Sequence, residues 1–372
     1  MRQLIHKFFN RLIDYIFYRP RTFGPKLIGF GVAIILATMG VSWLAKLSYR
    51  SSGAEWSVAV STGDSVSQFL SNVAYGIGVL LIVVGLVVYL IDFWRESERK
   101  NSRQIAIVVE LRGLHSSPDT PAKDADLGPV PSNRNWVLLD FRPSAEGERV
   151  SPKLLLQKLA TLKSSVETLS AGRDSSDVSV AVGGLAAVPA LFLAGMLLED
   201  ESRITIYDWD RNSGHWRGID GLDDGLRTLP LDVSELTLMQ DEVVLAVSLS
   251  YPVDIPAVRK AFPGISVSHL QAELLRTDVY WSEEKQRAIA ASFRNAIQQL
   301  MEKGIRRIHL ILASPASLAI RLGTTYDERL MPELLVYQYE RTDPVPYPWA
   351  VRMPDHGSAI PSAICTLTGA PI

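Results

Sequence analysis

A single cysteine, Cys365, in 372 residues leaves no intramolecular disulfide framework and no cysteine-rich metal cluster. Basic residues are not in excess either. Lys and Arg number 38 against 40 Asp and Glu, a net charge of −2, so the chain lacks the positive field that holds duplex nucleic acid. Any anion needs a local site. The six histidines, His6, His115, His215, His269, His309 and His356, are dispersed and none falls into HExxH spacing. There is no GxGxxG, no Walker loop and no GxSxG elbow, which makes NAD, ATP and a serine-hydrolase elbow poor guesses. Asp223 and Asp224 in GLDDGL, near His215, form one pair of carboxylates, but no second acidic or histidine cluster joins them, and the spacing resembles a turn. No catalytic or metal-ligating residue is assigned.

What the chain has in quantity is apolar sequence: 47% hydrophobic residues and a mean hydropathy of +0.11. Residues 27–45, LIGFGVAIILATMGVSWLA, and 73–91, VAYGIGVLLIVVGLVVYLI, carry no charge, and each has the length to cross a hydrocarbon core as a helix. Arg2, Lys7, Arg11, Arg19, Arg21 and Lys26 precede the first, and Arg95, Arg99, Lys100 and Arg103 follow the second. The positive-inside rule then predicts a hairpin with both ends cytoplasmic and 46–72 as a short external loop. Residues 1–26 read as a basic amphipathic segment along the inner interface, or as a helix packed on the soluble domain, and 92–103 as a linker. A third uncharged run, 180–198, VAVGGLAAVPALFLAGMLL, is rejected as a span. Its Gly183-Gly184 and Pro189 suit strand, turn and helix.

The stronger reason is an internal repeat. Aligned at an offset of 130, residues 180–211 and 310–341 both read as an apolar run, a small-residue turn (Gly183-Gly184; Ala313-Ser314), a helix, and a strand ending in Tyr-x-aromatic-acid-Arg. The counterpart of the third run holds Arg321, Asp327 and Glu328, which cannot sit in lipid. Helical stretches at 152–169 and 283–300 precede each apolar run, and 105–113 and 243–251 add a strand to each half. Each half is therefore expected to be a βαβ unit with parallel strands, and a ligand crevice is expected beyond their carboxyl ends, where a turn enters a helix. Candidate ligand residues are Gly183, Gly184, Leu185 and Ala186 at the first turn, Ala313, Ser314 and Pro315 at the second, and Trp209, Arg211, Tyr339 and Arg341 at the strand ends. Aromatic rings can stack bases, and Arg can take a phosphate. Tyr207 and Tyr337 read first as core. For Trp209, Tyr339 and the two arginines, core packing or ion pairing and ligand contact stay equally open.

The blocks GGLAAVPALFLAGMLLEDESRITIYDWDR, WRGIDGLDDG, VSLSYPV, RIHLILASPASLAIRLGTTYD and MPELLVYQYER together resemble a SAVED domain over about residues 104–350. The resemblance implies an α/β fold of two tandem CARF-like Rossmannoid units, here about 104–235 and 236–350, preceded by a two-helix transmembrane hairpin and followed by a Pro-rich tail, 351–372. It also implies a receptor for a cyclic oligonucleotide in the antiphage system CBASS. The messenger, a cyclic dinucleotide or cyclic trinucleotide, would come from a partner nucleotidyltransferase. Ligand-induced homo-oligomers at the bacterial inner membrane would then disrupt that membrane through the N-terminal helices. CARF-like pockets that cleave their own ligand supply the alternative, a membrane-bound phosphodiesterase. A constitutive membrane scaffold is a third reading.

Overall fold

The computed structural model describes residues 23–51, 65–113, 122–127, 131, 133–143, 148, 150–199, 204–236, 240–341, 343–354 and 361–366. The expected amphipathic segment at 2–18 and the middle of the expected external loop lie outside them. The chain divides into two units, 1–102 and 103–372.

Among its described residues the first unit holds two helices, α1 (Phe23–Ser51) and α2 (Ser65–Arg103). Both run past the uncharged segments that announce them, because loss of charge marks where lipid can be met and not where helical hydrogen bonding ends. Within α2, Ser71–Glu98 is long and apolar enough to cross a membrane, with a mean hydropathy of 2.7 over its most apolar 18 residues; the described apolar part of α1, Phe23–Thr38, is shorter. Glycines let the helices touch. A Cβ on Gly31 would lie 2.6 Å from Gly78 O, and one on Gly85 would lie 3.0 Å from Gly24 O. Gly24 and Gly31 on α1, seven residues apart, thus meet Gly85 and Gly78 on α2, the close backbone approach typical of small-residue helix pairs in lipid.

The second unit contains two sheets. The first has the order β2-β1-β3-β4-β5, from Arg134–Asp140, Ile105–Arg112, Val178–Leu185, Ile204–Asp210 and His215–Gly218. The second has the order β11-β10-β9-β8-β6-β7, from Ser362–Cys365, Trp349–Arg352, Glu333–Gln338, Arg307–Ala313, Glu242–Ser248 and Val267–Gln271. The four strands β2-β1-β3-β4 are parallel, and so are β7-β6-β8-β9. The same four-strand order recurs, as the repeat predicts. The helices are α3 (Pro152–Leu159), α4 (Leu162–Ser170) and α5 (Val188–Leu197) in the first half, and α6 (Ile255–Ala261), α7 (Glu283–Glu302) and α8 (Ala316–Gly323) in the second.

The third apolar run is therefore β3 followed by α5. Eight of the ten residues of α5 are buried, so its uniform hydrophobicity is that of a central helix. The largest core cluster runs through both halves, joining Ile107, Val182, Phe192 and Leu193 to Leu245, Phe293, Leu310 and Ile320. Helix α7 starts on Ser282, whose Oγ accepts the Lys285 N–H at 3.2 Å, and ends on Gly304 at φ +92°. There Gly304 N and Ile305 N donate to Met301 O and Leu300 O, a Schellman closure that requires a left-handed residue.

The register corrects the repeat. Leu185 ends β3 and Ala313 ends β8, and helices α5 and α8 start at Val188 and Ala316, an offset of 128. At the next strand Val180 pairs with Ile204 and Ile308 with Leu334, so β4 and β9 are offset by 130. Two extra residues in the loop before β9 account for the change. Aligning at 130 puts Tyr207 on Tyr337 correctly, but slides the turns by two, and Gly183-Gly184 belongs to the strand and not to the turn.

Candidate functional site

The carboxyl ends of strands from both sheets meet around a cavity of about 300 Å³. Leu185, Ala186 and Val188 contribute from the β3–α5 turn, Ser314, Pro315 and Ala316 from the β8–α8 turn, and Asp208 to Asn212 from the end of β4. Ser250 and Tyr251 follow β6, and Thr277, Asp278 and Trp281 precede α7. The crevice is thus where an open parallel sheet is expected to bind ligands. It lies at the β4 end, so the two halves contribute unequally.

Among the expected ligand residues, Leu185, Ala186, Trp209, Arg211, Ser314 and Pro315 line this cavity. Gly183 and Gly184 do not. A Cβ on Gly183 would meet Tyr207 O at 2.5 Å, and one on Gly184 would meet Leu111 O at 2.4 Å, so these glycines permit strand packing beneath the site. Ala313 closes β8, where its carbonyl accepts Leu249 N and Ser250 N. Tyr339 is 55% exposed and packs on Tyr347 with centroids 5.7 Å apart; neither it nor Arg341 lines the cavity. Tyr207 and Tyr337 are core residues. Tyr207 donates to Val109 O at 2.7 Å, and Tyr337 meets His309 Nδ1 at 2.9 Å. Burial pushes both phenols up.

The crevice offers three aromatic rings and one cation. Trp209 stands edge-on to Trp216 at 5.3 Å, Trp281 carries the Arg217 guanidinium over its ring at 4.9 Å, and Tyr251 is 59% exposed. Sequence reasoning missed Tyr251, Thr277 and Trp281. The block VSLSYPV was a signal for the first, and a tryptophan just before the cap of α7 was one for the last. The carboxylates are already engaged: Asp278 pairs with Arg276 at 2.9 Å, and Asp210 accepts Asn212 N at 2.9 Å. Arg211 makes no ion pair among the described residues.

Both helix N-termini at the crevice are capped from the opposite half. Asp208 on β4 accepts Ser317 N at 2.9 Å at the start of α8, and Gln338 on β9 accepts Val188 N at 3.1 Å at the start of α5. These caps satisfy donors that a ligand anion would otherwise take. Burial pushes the Asp208 carboxyl above its ordinary value, against the pull of the Ser317 and Trp209 hydrogen bonds.

A second cavity, of about 790 Å³, opens at the amino end of β4 between Trp216, Arg217, Glu283 and Arg321. Of its cations, Arg217 pairs with Asp220 at 3.0 Å and Arg321 reaches Glu283 at 3.4 Å through its Nη2, its buried Nε having no partner among the described residues. The Asp223-Asp224 pair is a salt-bridged turn: Asp223 binds Arg227 at 2.6 Å and Asp224 binds Lys285 at 2.7 Å. Both carboxyls are held below the ordinary range by those hydrogen bonds. Ser248 Oγ touches His269 Nε2 at 2.8 Å, but it also accepts Val253 N and is fully buried, a pin for the turn after β6. Among the described residues no group of three or more His, Cys, Asp or Glu is placed to hold a metal.

Residues 162–353, just over half the chain, match the SAVED family, described as the SMODS-associated and fused to various effectors sensor domain. Residues 2–156 match Saf_2TM, the SAVED-fused 2TM effector domain, so β1, β2 and most of α3 fall within that second match. Among solved structures, the chain is similar to the Acinetobacter baumannii Cap4 SAVED/CARF-domain containing receptor with the cyclic trinucleotide 2'3'3'-cAAA, at 11% identity and TM-score 0.47 over 74% of this chain and 57% of that one. It is similar also to the Moraxella osloensis Cap4 SAVED/CARF-domain containing receptor, at 10% identity and TM-score 0.42 over 73% and 59%. The match spans less than two thirds of either receptor. No curated protein matches the chain.

Proposed function

Since the chain belongs to the SAVED family, a sensor domain that is here joined to a 2TM effector domain, we propose that it is a membrane-anchored receptor for a cyclic dinucleotide or cyclic trinucleotide and an effector of antiphage defence. The observation that carries the ligand class is the crevice, where both halves supply walls, Trp209, Tyr251 and Trp281 supply stacking surfaces, and Arg211 supplies a cation without a described ion pair. Bases stack on such rings and a guanidinium takes phosphate oxygens.

The messenger comes from a partner nucleotidyltransferase, and binding brings several copies together at the bacterial inner membrane. One two-helix hairpin encloses no pore, so membrane damage needs a group of them. Both termini are cytoplasmic, on the side where the messenger is made. The two unlike halves can meet head to tail in successive molecules, a contact that propagates as a ring or filament, and a ligand touching both halves favours the angle that contact needs.

The test is a panel of cyclic di- and trinucleotides added to the full-length chain in detergent micelles. At 100 times Kd a bound ring raises stability by about 2.7 kcal/mol. If no ring in the panel stabilises the protein, the receptor reading fails.

A further inference from the structure

The crevice floor holds a carboxylate where a binder of phosphodiesters gains nothing from negative charge. Asp208 is 8% exposed and lines the cavity. Its Oδ1 accepts the Trp209 N–H at 2.8 Å and its Oδ2 accepts the Ser317 N–H at 2.9 Å. Backbone groups from both halves therefore fix the side chain in place, and Arg211 acts on it only from beyond ion-pair distance. A carboxylate has about four acceptor sites. The Trp209 and Ser317 N–H groups and the Ser317 side chain take three of them and leave about one, and a desolvated acceptor is costly to leave unfilled.

Building on the receptor reading, we propose that Asp208 selects the nucleobase that enters the crevice, accepting a base with an amino group and rejecting uracil. Adenine and cytosine present an exocyclic amine, and guanine presents an amine beside a ring N–H. Uracil has one ring N–H between two carbonyl oxygens, which bring partial negative charge against the carboxylate. Trp209, the next residue, offers a ring to any base, since every base has a π-face. Stacking on Trp209 sets the general affinity and Asp208 sets the choice. With one charged hydrogen bond gained or lost, the preference is about 10- to 100-fold.

The full-length chain in detergent micelles is titrated by calorimetry with cyclic di-AMP, cyclic di-GMP, cyclic di-UMP, cyclic tri-AMP and cyclic tri-UMP. The series is repeated on Asp208→Asn and Trp209→Ala. The wild type should bind at least one adenosine or guanosine ring about tenfold or more tightly than the uridine ring of the same size. Asp208→Asn should shrink that ratio to about threefold or less, whereas Trp209→Ala should weaken binding of adenosine and uridine rings to a similar degree. Uridine rings that bind the wild type as tightly as the others overturn the assignment, whatever the stability of Asp208→Asn. An undiminished ratio in a folded Asp208→Asn overturns it as well. Binding of none of the five rings strikes the receptor reading itself, a separate result.

Discussion

Gly195 and Gly323 are where α5 and α8 cross, and an alanine at either position should destabilise the SAVED domain well beyond a surface change. A Cβ on Gly195 would stand 2.1 Å from Ile320 O, and one on Gly323 would stand 2.1 Å from Phe192 O. Those neighbours are helix backbone, so the helices must separate. Overpacking of this kind costs about 1–3 kcal/mol. Separation also strains the two caps that bind each helix to the other half, Asp208 to Ser317 and Gln338 to Val188, and one lost cap adds about 1 kcal/mol. Gly195→Ala should therefore cost about 2–4 kcal/mol, which lowers Tm by roughly 5–15 °C in a unit of this size.

Near-UV circular dichroism melts of the full-length chain in micelles measure the loss. Gly218→Ala is the control, because among the described residues a Cβ there would meet only Leu127 O at 3.8 Å. One separation makes room for both new methyl groups, so the double variant Gly195→Ala/Gly323→Ala should lose clearly less than the sum of the singles. A Gly195→Ala protein that melts with the Gly218→Ala control, or two losses that add in full, would refute the crossing as the point of closest contact.

Four further outcomes are expected. Protease added to right-side-out vesicles should spare residues 95–372, and their digestion would reverse the orientation drawn from the basic flanks. Gly31→Val should loosen the helix pair by about 1–3 kcal/mol, seen as faster hydrogen exchange in α1 and α2, whereas Gly29→Ala should change little, as no atom of the described residues lies within 4 Å of its Cβ position. Burial holds the His309 imidazole below its ordinary 6.5 despite Glu242, so the unfolded chain takes up the proton first. Its contribution to stability is full above about pH 6.5 and falls as pH drops through the folded value; His309→Gln should flatten that slope in melts between pH 7 and 5, and an unchanged slope would count against it. Arg211→Ala should weaken ring binding and ring-induced assembly together, while Arg341→Ala should matter only if the ligand reaches beyond the crevice; calorimetry with light scattering separates the two.

The strands and the central helices were legible because their physics is local. Residues 180–198 announce β3 and α5 through a β-type run, two glycines and a proline, and charged residues in the counterpart exclude a lipid setting. The crevice was legible only in part. Trp209 and Arg211 sit at the end of a strand whose alternation is plain, but Tyr251 and Trp281 lie in turns whose direction is set by tertiary packing. The two-residue shift between the turns was hidden by the correct match of Tyr207 with Tyr337: a single offset cannot absorb an insertion placed between helix and strand. The helix ends at Ser51 and Ser65 were likewise invisible, because the hydropathy that marks α1 and α2 stops before their backbone hydrogen bonding does.

Duplication explains why the site sits at a junction and also why it is not symmetric. The two halves reach across and cap one another's central helix from equivalent positions, 208 and 338, which the β4 and β9 registers place 130 residues apart. One cap is a carboxyl group and the other is an amide. The amide of Gln338 accepts Val188 N and donates to Tyr339 O at 3.0 Å, and it does not line the cavity. Asp208 is an acceptor only, with capacity left over and a cavity before it. The same mechanical task is thus done twice, and only one of the two residues doing it is left with chemistry to offer a ligand. A cyclic oligonucleotide of identical units would meet unlike surroundings at each unit: one base stacked near Trp209 over a carboxylate, the others toward Tyr251, Trp281 and Arg211. Unequal contacts of this kind allow binding to bias the angle between the halves, since a ligand shifts an equilibrium only by its differential affinity for the two states.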